Sequence, residues 1–248
     1  MWTERLVITD VTRMREDRVC VVGLNAAGDS IRPVLPYENV RLQSLYRDKK
    51  LIIAPRHVVE FQFLRRIQKP PHVEDCAYAP ERSKLIKALT QEEMKQALER
   101  SRSDSVKELF GDELIEGKYV KPGTGERSIG TVRARISVID LTKERISFYD
   151  ASGKYYPYRK VTDFVFTAHA RNVLGQSSEE QLQFAQNIKR ARDIYLRLGL
   201  TRPWTNPDGI EGCWLQVTGI HAFPDYSAGK KLTSLFAGAL HSANEAIK

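Results

Sequence analysis

Two stretches of the chain alternate between apolar and polar residues with a period of two. In the first half, Val59, Phe61 and Phe63 are separated by Glu60 and Gln62, after an apolar run at 51–53. In the second half the same pattern has Val132, Ala134, Ile136 and Val138 on one face and Arg133, Arg135 and Ser137 on the other. A sheet with one buried face requires this period, so both stretches are predicted strands, and the arginines are predicted to point outward.

A weak internal repeat relates residues 8–34 to residues 138–158. In each copy a second strand leads into Asn25 or Asp150, which is followed three positions later by Gly28 or Gly153, and a third strand then begins. Asn and Asp cap local backbone N–H groups, and Gly accepts the positive φ that closes a hairpin. The repeat predicts a β-meander in each half, with Pro33 and Pro157 at edges or bulges. The alternative is that unrelated hairpins resemble one another by convergence.

Helical spacing is found in two regions. Residues 83–111 are predicted as helix from the positions of Leu85, Ile86, Leu89, Ala97 and Leu98. Residues 178–198 place Phe184, Ile188, Ala191, Tyr195 and Leu198 on one helical face, which puts Asp193 and Arg197 toward solvent. Residues 117–127, which contain Pro122, Gly123 and Gly125, are the predicted linker.

This order of elements predicts a mainly β fold with α elements. Three strands, a helix and a closing strand are the elements of a small five-stranded barrel of the oligonucleotide/oligosaccharide-binding (OB) type. We therefore expect two OB-like small barrels with connecting and capping helices. The first domain is predicted at 1–115 with a C-terminal helical segment, and the second at 126–248 with the helix 178–198 and a closing strand at 213–221.

The chain also resembles a family of bacterial proteins that carry a dual OB-containing domain, most of which lack an assigned activity. The resemblance covers nearly the whole chain and rests on residues 6–12, 148–153, 161–164, 198–203, 214–221 and 223–226. It implies two barrels of the OB kind, and it brings no established active site to this chain.

The charge of the chain favours an anionic partner. There are 39 Lys and Arg against 31 Asp and Glu, which gives a formal charge of +8 and a pI near 9.4. Cations interleaved with aromatic rings suit single-stranded nucleic acid, because cations follow the phosphates and rings stack on bases. The predicted nucleic-acid-binding residues are Arg133, Arg135, Arg145, Tyr155, Tyr158, Arg159 and Lys160 in the second half, and Arg65, Arg66 and Lys69 in the first. The alternative is that half of the tyrosines are core and the cations only solvate the barrels.

Catalytic and cofactor patterns are weak. Cys20, Cys76 and Cys213 form no C-x-x-C pair, no two of the five histidines have the spacing of helical metal ligands, and the glycine-rich phosphate-loop patterns are missing. The sequence Glu116-Gly117-Lys118, with Asp104 or Asp112 upstream, matches part of a metal-dependent nuclease pattern but falls in a predicted loop. We expect no catalytic residues, no metal and no cofactor.

The sequence therefore predicts a non-enzymatic accessory protein that binds single-stranded DNA or RNA. An interaction module that docks an acidic protein partner in a larger complex is the alternative, and a metal-dependent nuclease is a distant one. The first twelve residues lack the apolar core of a signal peptide, and no run of about 18 apolar residues occurs. We expect a cytoplasmic location and no membrane partner.

Overall fold

The computed structural model describes residues 1–226 and 232–245. The helices are α1 (Gln91–Arg100), α2 (Val106–Phe110), α3 (Phe164–Leu174), α4 (Ser178–Lys189) and α5 (Leu232–Glu245), with a 3₁₀ turn at Leu42–Leu45. The strands are β1 (Trp2–Arg13), β2 (Val19–Leu24), β3 (Ser30–Val34), β4 (Tyr46–Arg47), β5 (Lys50–Leu51), β6 (His57–Arg66), β7 (Asp75–Ala88), β8 (Arg102–Ser103), β9 (Tyr119–Val120), β10 (Ile129–Asp140), β11 (Arg145–Asp150), β12 (Tyr155–Lys160), β13 (Asp193–Leu200), β14 (Trp204–Thr205) and β15 (Glu211–Phe223). In these residues no helix combines the length and apolar content needed to cross a bilayer.

The first half of the chain forms a closed barrel in the strand order β1-β2-β3-β7-β6. The β3–β7 pair is parallel, and the other neighbouring pairs are antiparallel. This order is that of an OB-type barrel. Val59, Phe61 and Phe63 are fully buried in its core, as their alternation with polar residues predicts.

The second half forms a curled sheet, here called the second sheet, in the order β12-β11-β10-β13-β15-β14. Its meander and returning strands follow the same order as those of the first barrel, but α3 and α4 stand where the first barrel has the 3₁₀ turn and the short β4–β5 pair. The residues after β12 come back to β15 at a parallel bridge between Val161 and Val217, where Thr162 N donates to Val217 O at 2.8 Å. The predicted fold class, β-barrels with helices, is confirmed.

The turns that the internal repeat singles out have the same hydrogen bonds in both halves. The side-chain oxygen of Asn25 accepts hydrogen bonds from two backbone N–H groups of its turn, and the carboxylate of Asp150 does the same in the other. Gly28 and Gly153 close these turns with φ of +90° and +84°. The predicted meanders β1-β2-β3 and β10-β11-β12 are therefore confirmed.

The predicted helix 178–198 is wrong over its second half. Helix α4 ends at Lys189, and Asp193–Leu200 is the strand β13, buried along its whole length between β10 and β15. A central strand covered on both faces has a nearly continuous apolar sequence, which periodicity alone does not distinguish from helix. Asp193 and Arg197 are therefore buried instead of facing solvent.

Two further predictions need correction. Within 83–111, Leu85 and Ile86 belong to β7, which runs on to Ala88, and helix begins only at α1. The predicted linker 117–127 contains β9, which pairs with β15 of the second sheet. Hydrogen-bonded pairing is the physical reason in both cases, because it overrides the helical or loop preference of the local sequence.

Each core also receives residues from the other half of the chain. Val106 and Leu109 of α2 pack into the core of the second sheet, whereas Phe164 and Val165 of α3 pack into the core of the first barrel. The domain boundaries at 115 and 126 stay a prediction.

A buried polar network joins the two halves through Arg197 of β13. Its guanidinium donates to Asp10 of β1 at 2.8 Å, to Thr131 at 2.7 Å and to Ser30 at 3.0 Å. Thr218 of β15 donates to the second oxygen of Asp10 at 2.6 Å. Buried charges persist only when they are paired and hydrogen-bonded, and this network meets that condition across both sheets.

A second buried pair joins the two halves through Arg32, which lies two residues after Ser30 on β3. Asp75, at the start of β7, accepts from Arg32 of β3 at 2.8 Å and from Arg202 of the second half at 2.6 Å. Arg32 also donates to Ser128, whose hydroxyl donates to Glu74. Together the two networks fix how the first barrel and the second sheet face each other.

Candidate nucleic-acid interface

The outer wall of the second sheet carries a stacked row of side chains, here called the tyrosine column: Arg135, Tyr149 and Tyr155. Arg135 lies opposite Tyr149 in the β10–β11 register, and Tyr149 lies opposite Tyr155 in the β11–β12 register. The Arg135 guanidinium carbon is 4.4 Å from the centroid of the Tyr149 ring, and the two tyrosine ring centroids are 4.9 Å apart. The outermost ring, Tyr155, is 43% exposed.

The tyrosines of this hairpin divide between core and surface. Tyr156 is buried against Phe148, with ring centroids 5.1 Å apart, whereas Tyr155 and Tyr158 are exposed. A bulge in β12 at Pro157 and Tyr158 interrupts the strand alternation, and Tyr158 adopts a positive φ there. The two tyrosines predicted for binding are thus the two that face solvent.

Arg133 is exposed but already engaged. Its guanidinium donates to Asp193 at 2.6 Å, and Asp193 also accepts from Lys95 of α1 at 2.8 Å. The hydrogen bond from Lys95 outweighs burial and holds the pKa of Asp193 below its usual range. Arg133 therefore balances a nearly buried carboxylate in addition to facing the outer wall.

At the far end of the β11–β12 hairpin lie the other predicted cations. Arg145 donates to the carbonyl of Tyr158 at 3.1 Å and stands opposite Lys160 in the strand register. Arg159 is half-buried, and burial lowers the pKa of its guanidinium. The seven residues predicted in the second half thus all lie on or beside β10–β12.

The residues predicted in the first half form a separate group. Arg65 and Arg66 end β6, and Lys69 follows in the next loop, all three exposed. Arg66 lies over the ring of Trp2, 5.6 Å from its centroid. Within the described part of the chain no hydrogen bond or ion pair joins this group to the residues of the second sheet.

A cleft between the first barrel and the second sheet brings the predicted Lys160 together with three cations that the sequence does not single out. Arg13 ends β1 and Arg15 follows it, Arg171 comes from α3, and Lys160 ends β12. These four side chains surround a volume of about 310 Å³, with Glu144 as the acidic residue in its wall. We call it the basic cleft. Glu144 accepts from Lys160 at 2.8 Å and from Arg171 at 3.1 Å. Burial raises the pKa of Glu144, but these two cations more than offset it, so the net pKa is lowered.

Only folding brings the residues of the basic cleft together. Arg13 and Arg171 are far apart in sequence, and Arg171 lies on a helix that the sequence pattern does not predict. One signal is present: Arg13, Arg15 and Arg18 cluster in a short segment after a predicted strand. This local clustering gives no indication that Arg171, from another part of the chain, also contributes.

The prediction from sequence also did not include a cluster of three aromatic rings in the second half. Trp204 of β14 is about half exposed and lies 5.8 Å from Trp214, whose ring is 4.8 Å from Tyr119. These distances join ring centroids. The cluster lies at the connection between β13 and β15.

Glu116 and Lys118 form an exposed ion pair at 2.6 Å. Among the described residues no three His, Cys, Asp or Glu side chains are grouped to hold a metal ion. Cys20, Cys76 and Cys213 are free thiols.

Comparison with known proteins gives no relative for this chain. No family model, no curated protein and no solved structure matches it.

Proposed function

We propose that the protein binds single-stranded nucleic acid along the outer wall of β10–β12. The observation that carries this proposal is the tyrosine column, an exposed ring backed by a second ring and a guanidinium. Strands with this position in the OB order are the ones that OB folds commonly use for oligonucleotides. DNA and RNA are both within the proposal.

The tyrosine column combines two kinds of recognition. An exposed tyrosine ring offers a flat face on which any base can stack, worth roughly 1–3 kcal/mol per base. The Arg135 guanidinium on the other side of the Tyr149 ring supplies a positive charge for a neighbouring phosphate. Tyr149 packs against Tyr155, so the exposed ring loses little side-chain conformational entropy when a base stacks on it.

The remaining cations extend the positive surface along the hairpin. Arg145 and Lys160 stand opposite each other on neighbouring strands. Tyr158, which is 55% exposed, precedes Lys160 by two residues on β12. A strand that stacks on Tyr155 meets these cations further along β12. Phosphate contacts of this kind dominate affinity and make it depend on salt.

The test is fluorescence anisotropy of labelled oligo(dT) and oligo(U) with the Tyr155→Ala and Arg135→Glu variants. Tyr155→Ala should weaken binding at least about fivefold, because a stacked base is worth ~1 kcal/mol or more. Arg135→Glu should weaken binding and also reduce the slope of log affinity against log salt by about 0.7 for each phosphate that the variant no longer neutralises.

Matched controls are available in the first barrel. Tyr37 is fully exposed there, and Arg82 of β7 is an exposed arginine, so Tyr37→Ala and Arg82→Glu repeat the same chemical changes elsewhere. Both controls should leave affinity unchanged within twofold. If poly-glutamate binds as tightly as the oligonucleotides and Tyr155→Ala changes nothing, the surface docks acidic polypeptide and the proposal fails.

A further inference from the structure

The basic cleft contains an arginine that is not neutralised. Arg13 is half-buried, and within the described residues its guanidinium forms no ion pair and no side-chain hydrogen bond. Burial, followed by the nearby Arg171 guanidinium, lowers the pKa of Arg13, and Glu144 only partly opposes this. An arginine held away from water beside a second arginine is stabilised by an anion.

The cleft carries a net positive charge of more than one. Four cationic side chains, Arg13, Arg15, Lys160 and Arg171, face one carboxylate, Glu144. That carboxylate is shared by Lys160 and Arg171. Four positive charges against one negative leave three, so a doubly charged group suits the cleft better than a singly charged one.

The shape of the cleft indicates a small ligand or the end of a larger one. Its volume of about 310 Å³ is at the lower limit of small-molecule sites, which span roughly 300–1,000 Å³. The backbones of the two halves join at its wall, where Arg13 N donates to Thr162 O at 2.8 Å. This junction bounds the cleft on the side where the two halves meet.

The cleft is also continuous with the proposed binding wall. Lys160 lines the cleft and ends β12, the strand that begins with Tyr155 of the tyrosine column. Lys160 is five residues after Tyr155, and at about 3.3 Å per residue this corresponds to roughly 16 Å along the strand. A nucleic-acid strand lying along β12 therefore reaches the cleft.

From these observations we propose that the basic cleft binds a phosphomonoester, held by Arg13 and Arg171. Two sources share this chemistry, the terminal phosphate of a nucleic-acid strand and a free mononucleotide. A phosphomonoester carries about two negative charges at neutral pH, whereas an internal phosphodiester carries one. Arginine suits it because its planar guanidinium binds two phosphate oxygens at once. The strand-end source rests on the function proposed above, and the mononucleotide source does not.

The experiment measures both sources on the full-length protein. Thymidine 5′-monophosphate and thymidine are titrated by calorimetry, and oligo(dT) with a 5′ phosphate, a 3′ phosphate or hydroxyl ends is titrated by anisotropy. We expect a terminal phosphate to tighten binding about tenfold, the equivalent of ~1.4 kcal/mol. Thymidine monophosphate should bind, and thymidine should not.

The variants locate the effect. Arg13→Gln and Arg171→Gln should each remove the advantage of the phosphate, whereas Lys143→Gln should retain it. Lys143 is exposed and precedes Glu144 in the chain, so it controls for the loss of one positive charge near the cleft. Circular dichroism and the melting temperature show whether each variant is folded. If one of the two cleft variants does not fold, the other still tests the inference.

The outcomes separate this inference from the proposed function. Hydroxyl-ended strands that bind through Tyr155, with no gain from a phosphate and no binding of thymidine monophosphate, overturn the inference and leave the function standing. Binding of thymidine monophosphate that depends on Arg13, without binding of any strand, supports the cleft and overturns the function. Binding that is equal in the wild type and both cleft variants places the phosphate elsewhere and overturns the inference.

Discussion

Arg197 shows how a single side chain holds the two halves together. It is completely buried, and its guanidinium contacts Asp10 and Ser30 from the first barrel and Thr131 from the second sheet. Removing one member of a buried ion pair leaves the other charged and unsolvated, which costs more than the pair itself contributes.

We expect Arg197→Ala to lower the free energy of unfolding by about 3–5 kcal/mol, because Asp10 is left as an unpaired buried charge. Urea denaturation followed by circular dichroism measures this. Arg5→Ala is the control, since the Arg5–Glu60 pair is exposed and such pairs are worth about 1 kcal/mol or less. Equal losses in the two variants would contradict the structural role given to Arg197.

For single residues, the sequence predicts the exposed side chains better than the buried polar ones. Alternation identifies Arg135 as outward, and the composition of the hairpin identifies Tyr155. Arg197 is misplaced because residues 178–198 are predicted as one helix, and the helical projection puts Arg197 on the face opposite the apolar residues. Arg13 is missed because its importance depends on a neighbour, Arg171, that only the fold supplies.

Among the elements, β13 differs most from its predicted structure. Its Gly199 directly follows the predicted helix 178–198, but it lies inside the strand, where a Cβ atom would come within 2.7 Å of Thr218 Cγ2 on β15. The glycine is therefore required for close approach of the two strands.

Gly199→Ala should destabilise the protein by about 1–3 kcal/mol, because the added methyl group forces β13 and β15 apart. Gly175→Ala is the matched control. Gly175 ends α3 with φ of −82°, and a Cβ there would meet Asn172 O at an ordinary 3.8 Å. Thermal melting compares the two, and a tolerated Gly199→Ala would argue for the helical end that the sequence predicts.

Elements whose sequence differs between two faces are the predictable ones. The strand over residues 59–63, the β10 strand and both meander turns follow from alternation and from turn chemistry. Strand β13 does not, because both of its faces are covered. The end of β7 and the position of β9 also depend on pairing partners distant in sequence.

For the whole molecule, the exchanged core residues and the two buried networks imply a single cooperative unit. Phe164 and Val165 complete the core of the first barrel, whereas Val106 and Leu109 complete that of the second sheet. Neither half can lose its structure without exposing apolar surface of the other.

We expect one unfolding transition in urea. In a Trp2→Phe variant the remaining tryptophans, Trp204 and Trp214, both report on the second sheet. Their fluorescence should change at the same urea concentration as the far-ultraviolet circular dichroism of the whole chain. Two separated midpoints would show that the halves unfold independently.

The join between the halves has a consequence for cleavage of the chain. The first barrel side contributes Arg13 and Arg15 to the basic cleft, whereas the second half contributes Lys160 and Arg171. Each half alone therefore carries two of the four cations, and dividing the chain between the halves by proteolysis would separate them.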